Sequence, residues 1–296
     1  MSEETPPAGA GPSLAAIEAL ARRGEFDEAR RSGVQLLAAA RPGSIEAAEI
    51  ENLLGGIAFE QGKTDEAEAH FEQAIRTARA LGHAVLVARA ANNLASIAHL
   101  RGKLTLATSL YESALAVFEA IESNPGEAQA CHNLAMLSRD AGNCEEASGY
   151  AERAVRAARR SGDFALEGLT LSGRAETALR RGAYEAARAD VDQARRLARR
   201  AKDGLGLAEA SRLAGAIALA QGNPAEALRE ARLGYRRASG YGALQIATEC
   251  ADLAARSCRL LHRPGLGRRY YRTAIEGYRS LGATPALKRL TATLGG

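Results

Sequence analysis

Tryptophan is absent from the 296 residues, aromatic side chains amount to 4%, and there are only eight prolines. Long β-branched runs are missing too, so little favours sheet. No apolar stretch approaches the ~20 residues needed to cross a bilayer, and no basic start leads into an apolar run. The four cysteines, Cys131, Cys144, Cys250 and Cys258, form neither a CxxC pair nor a Cys/His cluster. Phosphate-cradling glycine loops, HExxH and GxSxG are lacking, and the five histidines are scattered. These absences predict a soluble, cytoplasmic, non-enzymatic chain with no cofactor, no metal and no membrane span. The cysteines are then small apolar packing groups in a reducing compartment.

What is present is a large share of Ala, Leu, Glu and Arg within a hydrophobic fraction of 46%. That composition predicts an all-α fold whose helices pack closely through small side chains. Charge is divided unevenly. Residues 1–150 hold 21 acidic and 12 basic groups, a net −9, whereas residues 151–296 hold 14 and 27, a net +13.

A repeat organises nearly the whole chain. RRGEFDEAR, EQGKTDEAEAHFEQAI, LRGKLTLATSLYESAL, DAGNCEEASGYAERAV, RRGAYEAARADVDQAR and AQGNPAEALREARLGY align on Gly24, Gly62, Gly102, Gly142, Gly182 and Gly222. The first step is 38 residues and each later one 40; a seventh unit puts His262 in the glycine slot. Each unit reads as two helices joined by a tight turn, the glycine supplying a positive φ. Thr64 reads as a cap of a second helix, and Asn223-Pro224 as a cap followed by proline. Ala67, Phe71 and Ala74, echoed by Ala107, Tyr111 and Ala114, share one helical face. Gly55, Ala95, Ala135, Ala175, Gly215 and Ala255 keep one slot small, so paired helices can approach.

These residues resemble the tetratricopeptide repeat family: leucine, a small residue and an aromatic in helix A, then alanine, aromatic, alanine in helix B. The proline usual after helix B is missing, and the 40-residue length is similar to kinesin light chain repeats, where segments like ANNLA and HNLA recur. The resemblance implies a TPR-like superhelical solenoid of about seven helix-turn-helix repeats, with helix A lining a concave groove. The expected units are a flexible tail at 1–12, repeats at about 13–42, 43–82, 83–122, 123–162, 163–202, 203–242 and 243–281, and a capping helix at 282–296. Ala286, Leu287, Leu290 and Leu294 lie on helical spacing in that last segment.

Asparagine disfavours helix interiors, yet Asn92 and Asn93 stand together, with Asn133 and His132 in the same slots one unit later and Asn52 one unit earlier. The repeat frame places them toward the groove. A side-chain amide can bond both the C=O and the N–H of an extended guest backbone, and the resemblance implies such a use. Asn93 and Asn133 are therefore the candidate clamps, Asn52 and Asn92 secondary contacts, and Arg89 and Arg139 charge readers. His99, Gln129, His132 and Met136 complete a candidate peptide-binding row, with Glu49, Phe59 and Ser96 beside it. The alternative is that the amides bridge neighbouring helices. From the fifth repeat on, the slot becomes Gly173, Leu213 and Leu253, with Leu179, Leu219 and Leu260 nearby. Either the groove turns apolar there or a terminal segment covers it.

Two further features stand out. Arg174 occupies a leucine slot between glycines, read as a locally shifted helix with an exposed arginine or as a hinge. Arg156, Arg196 and Arg236 share one frame position, and Arg159, Arg199 and Arg279 another. Such a ridge suits helix C-termini, or it is a basic surface for an acidic partner, lipid or nucleic acid; only RRYYR interleaves aromatics, so nucleic acid is the weakest of these. The leading expectation is a scaffold holding a peptide or partner segment in its groove. The alternatives are a regulatory sensor of a peptide or small signal molecule, and an anionic-partner binder using the basic half.

Overall fold

The structure is a computed structural model that describes residues 13–292; the expected tail at 1–12 and Leu294 lie outside the described residues. A left-handed residue recurs every 20 positions from Gly62 to Gly282, and it punctuates the chain into helices. Glycine fills most of these places, with φ between 65° and 88°, while Glu122, Lys202 and His262 hold the same conformation at 53°, 53° and 52°. At such a turn Gly62 N–H donates to Phe59 O and Lys63 N–H to Ala58 O, each at 2.9 Å, closing the helix end. Three residues of turn and seventeen of helix make the half-repeat.

Fifteen helices result among the described residues. The hairpins are α1 (Leu14–Arg22) with α2 (Phe26–Ala39), α3 (Ile45–Glu60) with α4 (Thr64–Ala80), α5 (Ala84–Leu100) with α6 (Leu104–Ala120), and α7 (Asn124–Asp140) with α8 (Cys144–Ser161). They continue as α9 (Phe164–Arg180) with α10 (Tyr184–Arg200), α11 (Gly204–Ala220) with α12 (Pro224–Gly240), and α13 (Leu244–Leu260) with α14 (Pro264–Ser280). α15 (Thr284–Ala292) packs against α14 through Leu290 and Leu287.

The two helices of a hairpin start differently. Side chains of Ser13, Ser44, His83, Ser123, Asp163 and Asp203 accept from backbone N–H groups at the starts of α1, α3, α5, α7, α9 and α11. Second helices follow the glycine turn directly. Thr64 is not the cap of α4 but its first residue, buried, and Asn223 stands at the cap position of α12 without a side-chain bond.

Small slots let the helices close. A Cβ on Gly55 would stand 2.6 Å from the Phe71 ring, and one on Gly215 would meet Ala227 O at 3.1 Å. Successive first helices from α3 to α13 touch one another, whereas successive second helices make no comparable contact. A stack tighter along one row curves toward it, so the first helices form the concave wall. On the outer side, arginine–glutamate pairs reach from one repeat to the next: Arg30 to Glu66 at 2.7 Å, Arg195 to Glu230 at 3.0 Å, and Arg153 to Glu119.

The curvature brings the first and last repeats together. Turns inside the first three hairpins rest on the loops that join the last ones. The Tyr241 ring fills the space a side chain at Gly24 would need, Leu244 does so at Gly62, and Pro285 approaches Gly102. Phe26 is buried in one cluster with Ala238, Ala243 and Ala247, and Leu100 packs into the cluster of Ala251 and Leu290. The first coil of the superhelix thus sits on the second. A cleft of about 430 Å³ opens at this junction, bordered by Asp27, Glu28, Arg31 and Ser239.

Candidate functional site

Helix register decides which side chains reach the concave wall. The asparagines reach it only at its seams. Asn93 Nδ2 donates to Asn52 Oδ1 at 3.0 Å, and Asn133 Nδ2 donates to Asn92 Oδ1 at 3.2 Å. Asn92 is 2% exposed, and Asn52 and Asn133 are buried as well; Asn93 alone is half-buried. The expected open row of guest-gripping amides is therefore replaced by amide pairs that staple α3 to α5 and α5 to α7. The reason is rotational. Leu213 and Leu253, in the same slot as Asn93 and Asn133, are core residues, so the slot faces the preceding hairpin. For the same reason the groove does not turn apolar in the later repeats, and Leu260 alone of the expected leucines is strongly exposed.

His132 and Arg139 are likewise taken into the wall. The His132 ring occupies the space above Gly173, where a Cβ would stand 2.5 Å from Nδ1. Burial, helped by the nearby Arg139 charge, pushes its pKa down to about 4. Arg139 lies with Nη1 3.3 Å from Glu176 and Nε 3.5 Å from Asp140, occupied by the protein's own carboxylates. His99 Nε2 stands 3.2 Å from Asp140 Oδ2. Arg89 and Gln129 are exposed; Met136, Glu49, Phe59 and Ser96 are half-buried, with the buried Tyr111 hydroxyl donating to Ser96 Oγ at 3.0 Å.

Beyond the amide pairs the wall carries a line of alternating charge that the repeat reading missed. Arg139, Glu176, Arg212 and Glu249 follow one another at steps of 36 or 37 residues, one per repeat. Arg212 is the hub. Its Nε and Nη2 meet Glu209 at 2.8 and 2.6 Å, Nη2 meets Glu176 at 3.2 Å, and Nε meets Glu249 at 3.1 Å. Burial raises the Glu176 pKa, but Arg139 and Arg212 outweigh it and bring the carboxyl to about 2. Burial raises that of Glu249, reinforced by repulsion from Glu209 and Glu176 against the pull of Arg212. The step just short of the 40-residue period, with signs alternating, was the available signal.

Arg174 needs neither a shifted helix nor a hinge. α9 runs unbroken through Gly168 and Gly173, and Arg174 grips Asp190 on α10 through two bonds of 2.8 and 2.7 Å. On the convex side Arg156, Arg159, Arg196, Arg199, Arg236 and Arg279 are all exposed; Arg156 and Arg159 lean on Glu152 and Glu167. Cys131, Cys250 and Cys258 are buried free thiols and Cys144 is half-buried. Among the described residues no His, Cys, Asp and Glu side chains cluster as a metal site, and no helix is long and apolar enough to cross a membrane.

Comparison with known proteins agrees with this architecture. Models of the tetratricopeptide repeat match residues 52–83 and 86–160. The chain carries tetratricopeptide repeats over these residues. It has no match by sequence among curated proteins. Among solved structures it is similar to the Rap conjugation gene regulator of the plasmid pLS20 in complex with the Phr* peptide. That likeness covers 95% of this chain and 82% of the other, with a TM-score of 0.72 and 13% identity. The apo form of RapI is similar over 90% of this chain and 97% of its own, at a TM-score of 0.63 and 16% identity. A Rap protein complexed with Competence and Sporulation Factor matches over the same shares, at 0.61 and 13%. At such identities the likeness is one of fold.

The stapling role of the amides has a measurable consequence. Asn92→Ala removes the acceptor of a buried N–H of Asn133, so unfolding stability should drop by about 1–3 kcal/mol. Adding Asn133→Leu to Asn92→Ala, which puts leucine in the slot of Leu213 and Leu253 and removes the orphaned N–H, should recover most of that loss. Urea titration followed by circular dichroism reads both; an unchanged midpoint for Asn92→Ala would remove the staple.

Proposed function

We propose that this chain is a non-enzymatic scaffold that captures an extended peptide or partner segment along its concave wall. The observation that carries the reading is the line of recessed acidic and basic side chains from Arg139 to Glu249. Buried ion pairs are seldom better for stability than apolar packing of equal volume. A wall built only to stand would be apolar. In the last three repeats Glu176, Glu209, Glu249 and Asp252 outnumber Arg180, Arg212 and Arg256, which favours a guest with lysine or arginine side chains. Arg89 and Gln129 occupy the helical slot of Glu209 and Glu249 in earlier repeats and are exposed, ready to contact the guest's other end. The Phr* peptide and the Competence and Sporulation Factor bound by the Rap proteins support the same use of a similar fold.

A displayed library of random peptides tests it. Selected binders should be enriched in Lys and Arg, and Arg89→Ala with Gln129→Ala should weaken them by about ten-fold or more, the equivalent of 1.4 kcal/mol. Arg196→Ala and Arg236→Ala on the convex back should change nothing. Binders that ignore the wall substitutions but are lost with the convex ones would move the site to the basic back, for an acidic partner.

A further inference from the structure

The contact by which the first coil rests on the second is built from parts that the chain repeats elsewhere without using them. On the loops joining hairpins, Tyr241, Leu244 and Pro285 are the projections; in the turns within hairpins, Gly24, Gly62 and Gly102 are the spaces they enter. The repeat frame puts Leu81 and Ile121 where Tyr241 stands, Phe164 where Leu244 stands, and Pro125 where Pro285 stands. None of these is covered by another coil. Leu81 is 50%, Ile121 47% and Phe164 37% exposed, the last with only Arg200 over one ring face, and Pro125 is exposed. The matching glycines Gly142, Gly182 and Gly222 are equally vacant, with no atom within 4 Å of where a Cβ would stand.

The unused projections lie on one rim of the coil pair and the unused spaces on the opposite rim. We propose that a second copy of this chain docks there head to tail, seating the Gly142, Gly182 and Gly222 turns of one copy on the Leu81, Ile121 and Phe164 loops of the next. The contact repeats between chains what Tyr241, Leu244 and Pro285 do within one. Charge supports the pairing. The projections lie mainly in the half of net −9 and the spaces mainly in the half of net +13, so the rims attract when copies stack in this sense. Two different rims meet, so the association is heterologous and extends the superhelix rather than closing a symmetric pair.

The test uses the full chain. Sedimentation across rising concentration should show the mass growing from 31.1 kDa through successive multiples. Leu81→Glu with Ile121→Glu blocks one rim, and Ala183→Glu with Asn223→Glu, at exposed positions beside the vacant glycines, blocks the other. Each blocked variant alone should stay at one chain. Mixed in equal amounts they should form a dimer and nothing larger, because one intact rim of each kind remains. That mixing also shows that both variants are folded. A wild-type mass of one chain at every concentration overturns the proposal. So does a mixture that gives no dimer, or a blocked variant that still pairs with itself.

Discussion

Arg212→Ala should destabilise the chain by about 3–5 kcal/mol at neutral pH, the range for breaking a buried ion pair by removing one partner. Arg212 is 12% exposed and faces three carboxylates, those of Glu209, Glu176 and Glu249. Without it Glu176 keeps Arg139, but Glu209 and Glu249 are left recessed with no cation. Glu249, whose carboxyl burial already holds above its ordinary pKa, loses the Arg212 charge that opposed the shift, so the variant takes up a proton on folding more readily and gains stability as pH falls. In the wild type Glu176 behaves oppositely. Its folded pKa of about 2 lies below the ordinary 4.5, and its contribution is lost as pH falls through that interval. The deficit of Arg212→Ala should therefore be largest at pH 7 and shrink toward pH 4. Adding Glu209→Gln to the variant should recover part of the loss at pH 7. Thermal and urea unfolding at both pH values decide the matter; a deficit independent of pH would mean that Arg212 acts through packing of its stem alone.

The hairpins were legible because each is local. Gly62, Gly102 and their equivalents end a helix by backbone conformation alone, and Gly55 or Gly215 admits the partner helix by size alone. The groove was harder to read because one residue of helix turns a side chain by about 100°. The repeat frame places Asn93 and Asn133 toward the open wall, whereas Leu213 and Leu253 in the same slot mark it as an interface between hairpins. Arg174 was misread for a related reason: its partner Asp190 lies on the opposing helix, where no motif announces it. The contact between coils was not legible at all. It joins Gly62 to Leu244 and Gly102 to Pro285, and it exists only because small rotations add up over several repeats. A pattern with a period of 40 says that such rotations accumulate but not how large they are.

That same contact holds a carboxylate at odds with its surroundings, and Glu60→Gln should stabilise the chain by about 2–3 kcal/mol at pH 8. Glu60 ends α3 and faces Asp203, which caps α11 on the other coil by accepting from Gly206 N–H at 2.8 Å. Burial, followed by the Asp203 charge, pushes the Glu60 pKa up to about 7. Unfolded, the group titrates near 4.5. Between those values the folded chain retains a proton that the unfolded chain has released, so stability falls as pH rises, and above 7 the whole cost is present. His132 masks the effect in part. Its folded pKa of about 4 is below the ordinary 6.5, so it favours folding increasingly as pH rises between them. The difference between wild type and Glu60→Gln cancels the His132 contribution and isolates the carboxylate. That difference should be near zero at pH 4.5, grow through the interval to pH 7, and stay level beyond it. If it is already constant from pH 4.5 to 8, Glu60 is in contact with water in the folded chain and the two coils part at that point.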